Sequence, residues 1–370
     1  MKVVIINSKG HWIHGWFTSP SDLKTGIRVL QKAGLEVITT EVENVAHLEK
    51  TLDGVSSDTL IWPNAYFVNA GEEKVVWINE YIEDRNLPFV GSRTQTLQNV
   101  LKKNVCQTIL KEKLLPIPAF TVVTRENTGD IYALISQNIS DDPYPVVLKP
   151  TSESGSIGVR MARDHWEARK YALQILKDFP HSDVIIEEFL PSDDITCGFL
   201  QLGDKALLLP TAYIVKSLPG KDHILSREER LRAWDDTDKI QPCITDNAIL
   251  NQLKAYIAPV AAALKIRGLT RIDGRLDKNG ILRFFDVNGL PALCYPEGVM
   301  VKQCFSCFPG YAPMEVFAGL IHTIIYSALL QYGMAVPEVM QKHNLFMMDS
   351  DLVIRSEVLD SGTSKQALIL

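Results

Sequence analysis

The chain has 370 residues, of which 46% are hydrophobic and 22% charged, and its formal net charge at pH 7 is −6. These values are typical of a globular protein with two or three packed units, and the negative charge argues against a nucleic-acid-binding surface. No apolar run approaches the about 18 residues that cross a bilayer, so no membrane contact is expected. The apolar start at 1–6 is too short for a signal peptide and predicts a buried strand, which favours a cytosolic protein.

Six cysteines are scattered along the chain, namely Cys106, Cys197, Cys243, Cys294, Cys304 and Cys307. Scattered cysteines in a chain of this size do not indicate a disulfide framework, so reduced structural thiols are expected. Cys304 and Cys307 have the CxxC spacing of zinc sites. Without a second CxxC or paired histidines, zinc is not expected there.

Residues 1–92 alternate between strand and helix patterns. The first helix opens with Ser21-Asp22 and ends before Gly34, which is a C-cap signal. Strands that alternate with helices indicate a parallel sheet. Strands are predicted at 3–7, 35–40, 59–62 and 87–90, and helices at 21–33 and 72–85.

The remainder of the chain has the mixed pattern of an α+β unit. Helices are predicted at 94–113, 164–179, 246–265 and 311–333, and strands at 146–149 and 184–188 within a mixed region at 120–209. Residues 216–243 are charged and irregular, and so long a stretch is usually functional or mobile. The tail beyond 336 has no clear pattern.

A hairpin at 269–288 carries the most informative polar residues. Asn279-Gly280 predicts a two-residue turn, because both of its central residues would need a positive φ. Counting outward then places Asp273 opposite Asp286 and Arg271 opposite Asn288, all on one face. Opposed carboxylates about 5 Å apart repel unless a cation lies between them, and this oxygen-only set suits Mg²⁺ or Mn²⁺. The alternative is a solvated surface hairpin.

Two further segments indicate a nucleotide site. Lys149 ends an apolar strand and precedes a small-residue loop at 151–158, which could hold phosphate by charge and by backbone amides. It is not a Walker A loop, because the lysine precedes the glycines. The strand at 184–188 then runs into acidic residues and Pro191, where backbone groups could meet a purine edge and a carboxylate could accept from ribose. The alternatives are an ordinary Ser/Gly loop and an acidic domain hinge.

In this order and spacing the three segments resemble the ATP-grasp superfamily, most closely its D-alanine–D-alanine ligase branch, over residues 1–330. The resemblance implies an α/β and α+β ATP-grasp fold. It divides the chain into an N-terminal parallel α/β substrate-binding domain (1–92), a central α+β nucleotide lid domain (93–190), a C-terminal α+β catalytic domain with the metal-binding hairpin (191–335) and a C-terminal extension (336–370). Family members are often dimers through the N-terminal unit, so a homodimer is expected.

The resemblance also implies roles for individual residues. The phosphate-binding lysines match Lys149 and Lys103, with Lys102 as a rival for Lys103, and the phosphate loop matches 151–158 with donors at Gly155 and Ser156. The adenine-reading linker matches Glu187, Glu188, Phe189 and Leu190, and the ribose carboxylate matches Asp194. Two Mg²⁺ ions would be held by Asp273, Asp286 and Asn288. Arg271 and the amide of Ala292 would steady the developing oxyanion, with Ser156 also close to the reaction. Ala292 stands where the family has glycine.

The substrate-reading positions depart from the family. The loop after the first strand lacks the family's glutamate, the Ser-Leu pair after the oxyanion turn is replaced by a run from Cys294 to Gly298, and the lid has no Tyr-Lys pair. Peptidoglycan dipeptide synthesis is therefore not expected. A bulkier aromatic or cationic substrate is expected, with candidate contacts at His11, Trp12, His14, Trp16, Phe17, Arg227, Arg230, Arg232 and Glu297.

The predicted function is that of an ADP-forming ligase that activates a carboxylate as an acyl phosphate and couples it to an amino acid or amine, with ATP and Mg²⁺. One alternative keeps the fold but phosphorylates a vinylogous acid, as in ligases similar to those of mycosporine assembly. A second alternative is a non-catalytic nucleotide-binding protein.

Overall fold

The computed structural model describes residues 1–9, 18–71, 74–203, 205–213, 223–224, 240–341, 345–347 and 352–355. Within these residues three larger sheets follow one another along the chain, each covered by helices. This mixture of a parallel α/β unit with antiparallel α+β units is the predicted fold class. The division at residues 92, 190 and 335 stays a prediction.

The first sheet is parallel and has three strands in the order β2-β1-β3, formed by Lys2–Ser8 (β1), Glu36–Val42 (β2) and Thr59–Pro63 (β3). Its helices are Lys24–Lys32 (α1), Val45–Asp53 (α2) and Ile78–Asp84 (α3). β1 is buried from Val3 onward, as its apolar run predicts.

Two predictions in this unit were wrong. The helix predicted at 72–85 begins only at Ile78, because Lys74–Trp77 (β5) pairs with Phe67–Gly71 (β4) as an antiparallel ribbon. Its Val-Val-Trp run suits a pleated strand better than a helix. The strand predicted at 87–90 is reduced to a single bridge between Phe89 and Ile61, since Pro88 has no amide to extend a ladder.

The second sheet is antiparallel, in the order β6-β9-β7-β8. Its strands are Phe120–Val123 (β6), Val146–Pro150 (β7), Arg160–Ala162 (β8) and Val184–Glu188 (β9). Ile131–Asn138 (α6) and His165–Asp178 (α7) pack on one face around a core that includes Ile135, Leu148 and Ala172.

The helix predicted at 94–113 is two helices, Thr94–Leu101 (α4) and Lys103–Glu112 (α5). The break lies at Lys102, whose ψ of 102° is extended. The amide of Lys103 donates to the carbonyl of Thr151 at 2.9 Å instead of to its own helix. A tertiary contact therefore ends the first helix at the point where the chain meets the loop at 151–158.

The third sheet has six strands and carries the predicted hairpin. Its order is β12-β11-β10-β13-β14, with β15 beside β11; the strands are Asp194–Leu202 (β10), Lys205–Tyr213 (β11), Ile240–Cys243 (β12), Leu269–Leu276 (β13), Leu282–Asn288 (β14) and Val353–Arg355 (β15). Helices Asn247–Ala263 (α8), Val299–Cys307 (α9) and Pro313–Gln331 (α10) cover it.

Helix α10 is long and apolar enough to cross a membrane by length and composition alone, and 61% of its most apolar window is buried within the protein. Phe317, Leu320, Ile324 and Ile325 pack in the core shared by the first and third sheets. It therefore has the environment of a core helix. Part of the predicted extension also joins this core, through Met340, Leu345 and Phe346.

The hairpin pairs its polar residues as predicted, but its turn differs from the predicted two-residue turn. Arg271 lies opposite Asn288 and Asp273 opposite Asp286. The turn is closed by Asp277, whose amide donates to the carbonyl of Ile281, and only Gly280 has a positive φ. The loop thus has three residues instead of two. A bulge at Phe285 on β14 adds the compensating residue, so the two differences cancel.

Candidate active site

An open cavity lies between the second sheet and the hairpin of the third, and together with the solvent space at its mouth it encloses about 690 Å³. Side chains from β7, the loop after it, β9, α5 and the hairpin all line it, so segments far apart in the sequence meet there. The lining includes Lys103, Lys149, Gly155, Ser156, Glu187, Glu188, Phe189, Leu190, Asp194, Arg275, Phe285 and Asp286.

Lys149 is buried at the end of β7 and enters the cavity. Its Nζ lies 2.5 Å from Oε2 of Glu187 and 4.3 Å from the ring centroid of Phe285. The amide of Gln107 donates to the other oxygen of Glu187. A lysine so placed is held by a buried counterion while its charge remains directed at the cavity.

Lys103 is also buried, with its Nζ donating to the carbonyl of Glu153 at 2.7 Å and lying 3.4 Å from Oδ1 of Asp286. Its rival Lys102 is exposed and is absent from the cavity lining. The structure thus brings Lys103, rather than Lys102, into the same cavity as Lys149.

The loop at 151–158 is built to present backbone amides. Gly155 and Ser156 both adopt a positive φ, 65° and 58°, which is uncommon for a serine. Thr151 is fixed by Ser182, whose hydroxyl also accepts from the amide of Ser152 at 3.0 Å. Backbone amides in turn conformations can form a concave anion site, so this loop suits the phosphate-binding role predicted for Gly155 and Ser156.

The linker from β9 to β10 forms the cavity edge where the purine was predicted. The carboxylate of Glu188 accepts a hydrogen bond from the amide of Ala119, and the amide of Glu188 donates to the carbonyl of Ala119. The side chain of Glu188 therefore holds two segments of the protein together. Phe189 and Leu190 line the cavity. Asp194, at the start of β10, is buried and pairs with Arg275 at 2.6 Å.

The hairpin groups lie together as predicted. Arg271 contacts both oxygens of Asp273 at 3.2 Å, and the amide nitrogen of Asn288 donates to Asp273 at 3.3 Å. No described group of three His, Cys, Asp or Glu side chains forms a ready metal cage. Two carboxylates and one amide oxygen nevertheless fit Mg²⁺, which usually binds one or two carboxylates and takes its other ligands from water and phosphate.

The turn after the hairpin touches the first unit. The amide of Leu293 donates to Oγ1 of Thr18 at 2.7 Å, and the thiol of Cys294 lies 3.6 Å from Oδ2 of Asp22. Burial, reinforced by Asp22, raises the pKa of Cys294 to about 12, so this thiol stays protonated at neutral pH. Ala292 is half-buried between these contacts and the hairpin.

Glu297 has a partner within the protein, because Nζ of Lys302 lies 2.6 Å from its Oε2. A substrate amine would have to compete for that carboxylate. The other substrate candidates lie outside the described residues, namely His11, Trp12, His14, Trp16, Phe17, Arg227, Arg230 and Arg232. So do 216–222 and 225–239 of the irregular stretch at 216–243.

Four residues that sequence reasoning missed belong to this region. Phe285 and Gln107 contact Lys149 and Glu187, and Arg275 contacts Asp194. Burial raises the pKa of Tyr66, with the Leu290 backbone hydrogen bond opposing and the charge of Asp286 adding to the shift. Only Arg275 carries a signal in the sequence, since it follows Asp273 by two residues on the same strand face.

The chain is similar in sequence to D-alanine–D-alanine ligases. The family model described as D-ala D-ala ligase C-terminus matches residues 109–299. D-alanine–D-alanine ligases from Aquifex aeolicus and Thermosipho africanus are 24% and 26% identical, over 57% and 59% of this chain. The matches span 66% and 58% of those two relatives.

Solved structures show the same fold over a longer stretch. The D-alanine–D-alanine ligase from Bacillus anthracis complexed with ATP has a TM-score of 0.63 at 18% identity and covers 90% of this chain and 99% of its own. The VanG D-Ala:D-Ser ligase from Enterococcus faecalis has a TM-score of 0.64 at 13% identity, covering 89% and 99%. With the family model matching over half of its length, the chain belongs to the D-alanine–D-alanine ligase family and has the ATP-grasp fold.

Proposed function

We propose that the protein is an ADP-forming carboxylate–amine ligase. The observation that carries the proposal is the convergence on one cavity of two buried lysines, an amide-presenting loop, a linker edge and the acidic hairpin. A triphosphate needs positive charge and backbone donors, a purine needs an edge of backbone groups, and Mg²⁺ needs oxygen ligands. In this proposal Lys103, Lys149 and the amides of Gly155 and Ser156 hold the phosphates of ATP.

The linker from Glu187 to Leu190 would read adenine, and Asp194 would accept from the ribose. Asp273, Asp286 and Asn288 would hold Mg²⁺, which supplies charge neutralisation on the phosphates when bound. The hairpin acids already lie beside Arg271 and Lys103, so the binding of metal and triphosphate would exchange protein ion pairs for ligand ones. The proposal includes two Mg²⁺ ions at this site.

The reaction would proceed in two steps. A substrate carboxylate oxygen attacks the γ-phosphorus of ATP, the bond to the β-phosphate oxygen breaks, and ADP and an acyl phosphate form. An amine then attacks the acyl carbon, loses a proton, and expels inorganic phosphate to leave an amide. Arg271 and the amide of Ala292 would stabilise the oxyanion of the second step; one such donor typically contributes about 3 kcal/mol.

For the substrates we propose an amino acid or amine pair other than two D-alanines, although the relatives compared above are named for that pair. The run from Cys294 to Gly298 supports this, because Glu297 offers a carboxylate where the family pattern has Ser-Leu. The proposal includes a homodimer and a cytosolic location, where ATP and Mg²⁺ are available and the six free cysteines would stay reduced.

The test is an ADP-release screen over D- and L-amino acids and simple amines in all pairings, with products identified by mass spectrometry. Amine-dependent ADP release with an amide product supports the ligase. Release that depends on an enolic acid in place of a carboxylate would favour the vinylogous-acid alternative. If kcat/KM is highest with D-alanine as both substrates, the proposal of a different substrate pair is refuted, whereas the proposal of a ligase still holds.

A further inference from the structure

Arg275 is a buried charged residue in the cavity with no part in the proposed chemistry. It lies on β13 two residues after Asp273, and its side chain makes three hydrogen bonds. Nε donates to Oδ1 of Asp194 at 2.6 Å, and Nη1 donates to the carbonyls of Leu190 at 3.2 Å and His223 at 2.7 Å. One guanidinium therefore joins the linker, the start of β10 and the backbone at 223.

The geometry leaves a defined acceptor for a ligand. Arg275 engages Oδ1 of Asp194, whereas no described residue donates to Oδ2, and both side chains line the cavity. A buried carboxylate without a counterion is costly, so Arg275 supplies the counterion of Asp194 and holds its side chain in one orientation. The planar fork of arginine directs its donors to separated acceptors in fixed directions, which the compact ammonium of lysine cannot reproduce.

We infer that Arg275 is a positioning residue that presents Asp194 to the ribose of the nucleotide and so makes the site selective for ribonucleotides. The inference rests on the proposed ATP site and adds to it a determinant of sugar specificity. An acceptor that is fixed in place binds a ligand hydroxyl and is left unsatisfied by a deoxyribose. The discrimination therefore depends on Arg275 even though Arg275 need not touch the sugar.

The experiment compares ATP with 2′-deoxy-ATP and 3′-deoxy-ATP in steady-state assays and by calorimetric titration of the full chain. In the wild type we expect KM for at least one deoxynucleotide to exceed that for ATP by about tenfold or more, as expected for one charge-assisted hydrogen bond. In Asp194→Asn and Arg275→Met this ratio should fall toward one, mainly through a higher KM for ATP with kcat changed less. Arg275→Lys should give an intermediate ratio.

Arg283→Met is the matched control, because Arg283 faces Arg275 across the same hairpin but pairs with Asp277 and does not line the cavity. It should keep the wild-type ratio. An unchanged ratio in soluble Arg275→Met or full wild-type discrimination in Arg275→Lys would overturn the inference. Should Arg275→Met fail to fold, the lysine variant and Asp194→Asn decide. A wild type that binds no adenine nucleotide would instead refute the proposed function, so the two failures are distinguishable.

Discussion

Among the described residues, each cation that lines the cavity has a carboxylate partner. The pairs are Lys149 with Glu187, Lys103 with Asp286 and Arg275 with Asp194, and on the same hairpin Arg271 pairs with Asp273; all of these side chains are at most 22% exposed. Such pairs satisfy buried charges in the absence of ligand, because an unpaired buried ion costs several kcal/mol. They also offer the charges that a metal–triphosphate complex would need. Removing one partner should therefore weaken ligand binding and also destabilise the fold, because the other charge is left buried and unpaired.

The first prediction concerns Asp286→Asn. The variant keeps the shape of the side chain but removes one proposed metal ligand charge and the counterion of Lys103. We expect amine-dependent ADP formation to fall by about 100-fold or more at every Mg²⁺ concentration, since metal-held charge stabilises phosphoryl transfer. Asp277→Asn on the same hairpin lies away from the cavity and serves as the control. Equal activity of the two variants would contradict the metal-site assignment.

The second prediction concerns Arg271→Ala, measured as kcat and KM for ATP separately. If Arg271 stabilises charge that develops during the reaction, kcat should fall by about 100-fold with a much smaller change in KM. Because the change also leaves Asp273 without its arginine, Arg271→Lys is measured beside it and should recover part of kcat. A large rise in KM with kcat retained would assign Arg271 to ground-state binding.

At the scale of elements, the hairpin shows what sequence can and cannot predict. The opposition of Asp273 and Asp286 was predicted correctly, because the pattern of acids and apolar residues marks a strand pair. The prediction of a two-residue turn was wrong, because Asp277 accepts from the amides of Asn279 and Ile281 and thereby favours a three-residue loop. The bulge at Phe285 has no marker in the sequence; next to it the amide of Phe284 donates to the carbonyl of Pro116 at 2.9 Å, a contact with a distant segment.

A third prediction tests that turn. Partial burial acts against ionisation, but amides of Ile281 and Asn279 and the guanidinium of Arg283 together lower the pKa of Asp277. A group with a lowered pKa in the folded state stabilises it above the unfolded value of about 3.9, and this contribution is lost as pH falls through the folded pKa. Asp277→Asn should lower the free energy of unfolding by about 1 kcal/mol at neutral pH.

The measurement is urea denaturation of both proteins across a series from neutral to acidic pH. The difference between wild type and Asp277→Asn should shrink below about pH 4, where the wild-type carboxylate gains a proton. A difference that stays constant through that range would mean that charge does not stabilise the turn. Arg283→Met should reproduce part of the effect, since Arg283 contacts Oδ2 of Asp277 at 2.9 Å.

At the scale of the molecule, sequence patterns identified the units but not how they join. Periodicity reports which face of a strand or helix is buried, and it carries no information on which distant segment covers it. The split between α4 and α5 was missed for this reason, because the amide of Lys103 bonds to Thr151 in a segment distant along the chain. Recognition of the family supplied the order of the units, and the structure supplies their contacts.

The junction between the first and third units provides the last prediction. Ser92 exchanges hydrogen bonds with the backbone of Arg267 at 2.9 and 3.1 Å, and a Cβ on Gly268 would lie 3.1 Å from Cα of Gly91. Gly268→Ala would therefore force two backbones apart in addition to straining its positive φ of 68°. Gly333 has a φ of 63° with nothing within 4 Å of its Cβ position, so Gly333→Ala carries the strain alone. Thermal and urea unfolding should show that Gly268→Ala is less stable than Gly333→Ala by about 1 kcal/mol or more, which is the cost of overpacking. Equal losses of stability in the two variants would show that the close approach at Gly91 contributes nothing to how these two units are held together.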